Sequence, residues 1–166
     1  MKSTTRTIAQ AVILVAMGVA LAPFTSFPVG IARVNPTQHF VNLLAAVLLG
    51  PWWAVAIAAI IGVLRNAMGV GTLLAFPGGM IGALLAGLLY RRLKKLWAAA
   101  AGEIVGTGIL AALVSGWLVA PFLMGKQMPV WFLLASFLGS TVLGTILGLL
   151  ALKLLERVGY VQLSDR

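Results

Sequence analysis

The run Arg33-Val-Asn-Pro-Thr-Gln-His-Phe-Val-Asn42 concentrates hydrogen-bonding side chains in a chain built mostly from aliphatic residues. If Pro36 or Thr37 opens a helix, as proline in a first turn can, Gln38, His39 and Asn42 share one face by their i,i+3 and i,i+4 spacing. Such a face can hold a small polar molecule. It can equally be the loop and cap of a helix that enters a membrane from water. A second group centres on Glu103, with Thr107 one turn further on and Gly102 and Gly106 forming a narrow groove beside it. A carboxylate at the centre of a membrane helix costs roughly 2.5 to 3.5 kcal/mol, so Glu103 faces protein, water or a ligand, or is protonated. Ligand contact and a structural ion pair both fit.

These groups need a scaffold, and composition names its class. Of 166 residues, 61% are hydrophobic and 9% charged, too little polar surface to cover a soluble globule of this size. Long apolar runs without strand-like alternation exclude a membrane β-barrel and predict an all-α integral membrane protein. With no cysteine, one histidine and three acidic residues, neither a metal centre nor another cofactor is expected. The net charge of +9 does not imply nucleic acid, because most basic residues flank apolar spans, where they set topology and meet anionic lipid headgroups.

The spacing of apolar runs predicts one membrane domain of six spans, near 8–23, 37–50, 51–67, 76–91, 96–119 and 130–155. The region from Phe40 to Leu64 could be one kinked span or two joined at Gly50-Pro51. With two, Lys2, Arg6, Arg91, Arg92, Lys94, Lys95, Lys153, Arg157 and Arg166 fall on one side and only Arg33, Arg65 and Lys126 on the other. That asymmetry places both termini in the cytoplasm. The first span ends at Pro23 and leads through an irregular connection over Thr25 to Gly30. Gly69 to Leu74 reads as a mobile outer loop. Pro77-Gly78-Gly79 then opens the fourth helix with amides exposed to an acceptor, although Gly79, Gly82 and Gly87 also suit close packing. Ser136, Ser140, Thr141 and Thr145 read as hydroxyls bonded to their own helix. Trp117 and Trp131 bracket the last outer loop.

Several activities are excluded. There is no phosphate-binding Gly-x-x-x-x-Gly-Lys-Ser/Thr loop, so the chain does not hydrolyse ATP by that route, and no Ser/His/Asp set or His-Glu-x-x-His helix, so nothing supports a membrane hydrolase. No internal repeat suggests a secondary transporter. A membrane enzyme using Glu103 or His39 as a general acid or base, and a stand-alone facilitator, remain as alternatives.

The segments Phe27-Pro-Val-Gly30, Pro36 to Asn42, Leu48-Leu-Gly-Pro-Trp-Trp53, Arg65-Asn66, Gly71 to Gly78, Met80 to Tyr90 and Gly102-Glu-Ile-Val-Gly-Thr-Gly108 stand in an order and spacing that resembles the ThiW family. ThiW proteins are substrate-binding S components of energy-coupling factor (ECF) transporters. The resemblance implies capture of a vitamin precursor, for ThiW hydroxyethylthiazole, with hydroxymethylpyrimidine or thiamin as alternatives. It implies a membrane coupling subunit and two cytoplasmic ATPases as partners in the cell membrane, and reorientation of the whole S component driven by ATP. Ala16-Met-Gly-Val-Ala20 matches the Ala-x-x-x-Ala pattern that packs on the coupling subunit; on spacing alone, Ala16 and Ala20 equally suit packing within the bundle. The outward ligand site implied by the family raises Asn35, Gln38, His39, Asn42, Arg65 and Asn66, with Phe76 or Trp117 as apolar contacts. Glu103, with Thr107, would form the floor. Few charged groups are expected to line such a pocket, which suits a neutral heteroaromatic alcohol.

Overall fold

A computed structural model describes residues 4–30 and 32–163. Lys2 and Arg166, counted above for charge, lie outside the described residues. The chain runs α1 (Thr4–Thr25), a hairpin of β1 (Phe27–Val29) and β2 (Ala32–Val34), α2 (Pro36–Leu48), α3 (Pro51–Ala67), α4 (Ala75–Leu93), α5 (Leu96–Leu123) and α6 (Val130–Arg157). The connection expected to be irregular is therefore an antiparallel hairpin that pairs Phe27 with Val34 and Val29 with Ala32. Pro23 does not end α1, which continues to Thr25. Pro23 costs the helix one backbone hydrogen bond, to Val19 O, and α1 closes two residues later.

Local chemistry sets the boundaries. Asn35 caps α2 by accepting from the Gln38 amide at 2.9 Å, and Pro36 fills the first helical position, where no amide is needed. Gly50 adopts φ +94°, a conformation that side chains rarely tolerate, and Pro51 then starts α3. The segment after α3 is not free. Asn66 Nδ2 donates to the Gly62 and Thr72 carbonyls at 2.8 and 3.1 Å, and the Val70 amide donates to Arg65 O. The glycines that suggested mobility instead allow the loop to fold back, since a Cβ at Gly71 would lie 3.1 Å from the Arg65 and Asn66 backbone.

Among the described residues three helices, α1, α5 and α6, are long and apolar enough to cross a bilayer by length and composition. α2 has 13 residues, about 20 Å at 1.5 Å per residue, short of a hydrocarbon core of about 30 Å. It lies in the middle of the bundle, packed against all five other helices. The outward faces are apolar and all five tryptophans are exposed on them, the inverse of a soluble protein. Arg6 stacks on Tyr160 beyond the end of α6, and Gly87 meets Pro51. Arg6, Arg91, Arg92, Lys94, Lys95, Lys153 and Arg157 therefore share one end of the bundle, with Arg33, Arg65 and Lys126 at the other.

Apolar packing divides in two. One cluster draws on all six helices around Val41, Leu43, Ile57 and Ile61, with Leu96 and Ala99 of α5, Leu152 of α6 and Leu163 of the C-terminal segment. A smaller one surrounds Leu74, Ala112, Leu133 and Phe137. Most buried polar residues stand on α2, α5 and α6, with Gln10 on α1 and Arg65 on α3.

Candidate functional site

Glu103, 0% exposed, is the hub of a buried polar cluster. Its Oε1 accepts from Asn42 Nδ2 at 3.0 Å, lies 3.0 Å from His39 Nδ1, and is 3.3 Å from Thr107 Oγ1. The single Thr107 hydroxyl proton has a shorter path to Gly78 O, at 2.7 Å. With Glu103 ionised, His39 Nδ1 donates to it and Nε2 is left over, an acceptor on the neutral ring and a donor on the imidazolium. Asn42 also donates to Gly79 O at 2.9 Å, and its Oδ1 accepts from Gln38 Nε2 at 3.1 Å. All its donors and its acceptor are thus occupied.

Glycines allow this closeness. A Cβ on Gly82 would strike Thr107 Oγ1 and lie 2.8 Å from Glu103 Oε2, and one on Gly106 would lie 2.8 Å from Gly82 Cα. α4 and α5 can therefore touch backbone to backbone, which bears out the packing alternative for Gly82. On the far side, a Cβ on Gly144 would lie 2.7 Å from His39 Cβ, so only a glycine lets α6 approach α2 this closely. Within α5, Gly106–Ala111 and Ser115–Leu123 form π-helical turns, wider than α turns and frequent at functional sites.

Above the cluster, toward the Arg33 end, lies a cavity with ≈ 370 Å³ of space not filled by protein atoms, part of it open to the outside. Gln38, His39, Arg65, Thr107 and Ser140 supply its polar wall, Leu74 and Phe137 its apolar one, and Arg33 its mouth. Very little of that space is wide enough for a molecule larger than water. A ring enters only if the lining moves apart.

The structure brings most of the sequence candidates together but divides their work. Gln38, His39, Arg65 and Thr107 line the cavity, whereas Asn42 and Glu103 lie behind its wall. Asn35 lines it too, yet its side chain is spent on capping α2 and on a 2.7 Å bond to Ser26. Asn66 secures the loop after α3. Phe76 turns its ring onto α3, where a Gly62 Cβ would be 3.3 Å away. Trp117 is 63% exposed on the outer surface and does not line the cavity. The expected free amides at the start of α4 are not free: Ala75, Phe76 and Gly78 donate to Thr72, Leu73 and Leu74. It is the Gly78 and Gly79 carbonyls that take part in the cluster. Nor is the cavity poor in charge, since two guanidinium groups line it.

Sequence reasoning missed Leu74, Phe137 and Ser140. Ser140 does not bond its own helix as Ser136 does; its Oγ accepts from the Asn35 amide at 3.1 Å. Phe137 and Ser140 share a face by i,i+3 spacing, a signal that was present but weak in so apolar a helix.

Ala16 and Ala20 are exposed, whereas Gly18 between them is buried against Ile61. The two alanines line an apolar groove with Trp53, Ile57 and Ile60.

The thiamine-precursor transporter protein family, ThiW, matches residues 8–158. The chain belongs to the ThiW family. Membership makes it a multi-pass membrane transport protein rather than an enzyme. The ThiW chain also superposes on a solved structure described as the S component of a bacterial ECF transporter, with a TM-score of 0.78 over 94% of this chain and 98% of that one. Their sequences are 17% identical, so the likeness establishes the fold. No curated protein matches this ThiW chain.

Proposed function

We propose that this ThiW protein is the substrate-capture component of an ECF-type importer and that it takes up hydroxyethylthiazole. The observation that carries this reading is a polar cavity near one end of an apolar bundle, in a chain of this family and fold. Six crossings with both termini in the cytoplasm agree with the basic residues gathered at the opposite end from the cavity. His39 Nε2, Gln38, Thr107 and Ser140 would meet the ligand, Phe137 and Leu74 would cover its ring, and Asn42 and Glu103 would hold the His39 ring in place. No group here could power transport, so energy would come from a coupling subunit and two ATPases. The exposed Ala16 and Ala20 offer the small-residue face on which a helix of that subunit could pack closely.

Calorimetry on the purified protein tests the ligand. Hydroxyethylthiazole should bind saturably, and His39→Ala should weaken it about tenfold or more, as expected for loss of a buried hydrogen bond. Binding of hydroxymethylpyrimidine or thiamin in its place would reassign the substrate. Ala16→Trp should leave binding intact and block uptake in cells. Solute flux in liposomes without ATPases would instead identify a facilitator.

A further inference from the structure

Arg65 is out of balance with its surroundings. It is 2% exposed, its Nε has no hydrogen-bond partner, and its other nitrogens reach Gln38 Oε1, Ser26 Oγ and Val70 O only at 3.4 to 3.5 Å. Contacts that long are at the weak limit of hydrogen bonding. A buried guanidinium normally has a carboxylate, because an uncompensated charge away from water is costly. Among the described residues only Glu103 and Glu156 are acidic. Glu103 is engaged by His39 and Asn42 behind the cavity wall, and Glu156 is exposed near the end of α6. Neither forms a salt bridge with Arg65. The second guanidinium lining the cavity, Arg33, repels the first.

We propose that the cavity binds its ligand as an anion: a heteroaromatic ring whose arm ends in a carboxylate or a phosphate monoester, received by Arg65 with Arg33 at the mouth. This rests on the reading of the cavity as a thiamin-precursor site and sharpens it from the neutral alcohol to an acidic form. The planar fork of a guanidinium matches two oxygens of either group. The Nε that now lacks a partner would gain one. His39 Nε2 and Phe137 remain for the ring, so the two ends of the ligand would meet walls of different chemistry.

Calorimetry on the full-length protein in lipid nanodiscs would compare four probes: hydroxyethylthiazole, its phosphate monoester, the corresponding thiazole carboxylic acid, and inorganic phosphate. At least one thiazole acid should bind about tenfold or more tightly than the alcohol, the scale of one charge-assisted hydrogen bond. The stronger of the two identifies the group. Arg65→Gln should abolish the preference while changing alcohol binding little, and Arg65→Lys should restore part of it, which a purely structural role would not. Equal binding of alcohol and acids, or equal loss of all probes in Arg65→Gln, would overturn the anion proposal and leave the thiazole reading standing. Binding of inorganic phosphate that depends on Arg65, with no thiazole bound, would sustain the anion site and overturn the thiazole reading. No binding by any probe would overturn both.

Discussion

Two buried charges, Glu103 and Arg65, stand at opposite ends of one chain of amides. Arg65 reaches Gln38, Gln38 donates to Asn42, and Asn42 donates to Glu103. At the Glu103 end the bonds from Oε1 to Asn42 and His39 are both 3.0 Å and glycine backbones close around them, while Oε2 has no partner. At the Arg65 end the contacts stretch to 3.5 Å and one nitrogen has none. The first end has the marks of a scaffold, its groups satisfied mostly by fixed neighbours. The second has the marks of a receptor, its donors under-used until something arrives. Neither buried polarity nor an unpartnered atom tells the two apart, since Glu103 Oε2 and Arg65 Nε both lack a partner; the lengths of the bonds that are made do.

Removing the hub should produce the largest effect. Glu103→Leu strands the buried His39 and Asn42 donors, and breaking such a buried set costs about 3 to 5 kcal/mol. The melting midpoint of the purified protein should fall sharply, with Glu103→Gln intermediate because its amide oxygen still accepts. A Glu103→Leu protein as stable as the parent would show that the cluster is not a scaffold.

A smaller loss is expected where the scaffold is crowded. Gly82→Ala inserts a methyl group against Thr107 and Glu103, and overpacking of this kind costs about 1 to 3 kcal/mol. The same change at Gly139, where a Cβ would meet nothing within 4 Å, should be close to neutral and is the control. Equal effects at the two positions would mean that α4 and α5 do not depend on contact at Gly82.

What the sequence discloses follows the same division. The helix breaks are legible, because Gly50-Pro51 and Asn35-Pro36 carry their own backbone rules. The outward polar face of α2 is legible too, from the spacing of Gln38, His39 and Asn42. The 27–34 hairpin is not: each strand has three residues, too few for alternation to register. Nor is the link between His39 and Glu103, which are 64 positions apart and meet only because α2 crosses α5. Spacing could suggest that Asn42 shares a face with His39. It could not show that Asn42 lies behind the cavity wall and His39 on it, because depth depends on how α4 packs across them. Trp117 illustrates the converse: an aromatic near the correct end of a helix was legible, and the side of the helix it occupies was not.

Arg65→Gln should change stability least, and that small effect decides between scaffold and receptor. The substitution removes a charge with no acidic partner and exchanges long contacts for those of a neutral amide, so the desolvation relieved offsets the bonds lost. Without ligand, the melting midpoint should stay within the equivalent of about 0.5 kcal/mol of the parent, the range of changes that touch no stabilising feature. With the same concentration of thiazole acid, the parent should rise further than the variant, because a ligand stabilises the folded state more the tighter it binds. An Arg65→Gln protein that melts as early as the Glu103→Leu protein would place Arg65 in the scaffold, and loss of binding there would then report damage to the fold. If its stability holds and the ligand-induced rise falls to that given by the alcohol, the loosely held guanidinium is the part of the bundle that waits for the solute.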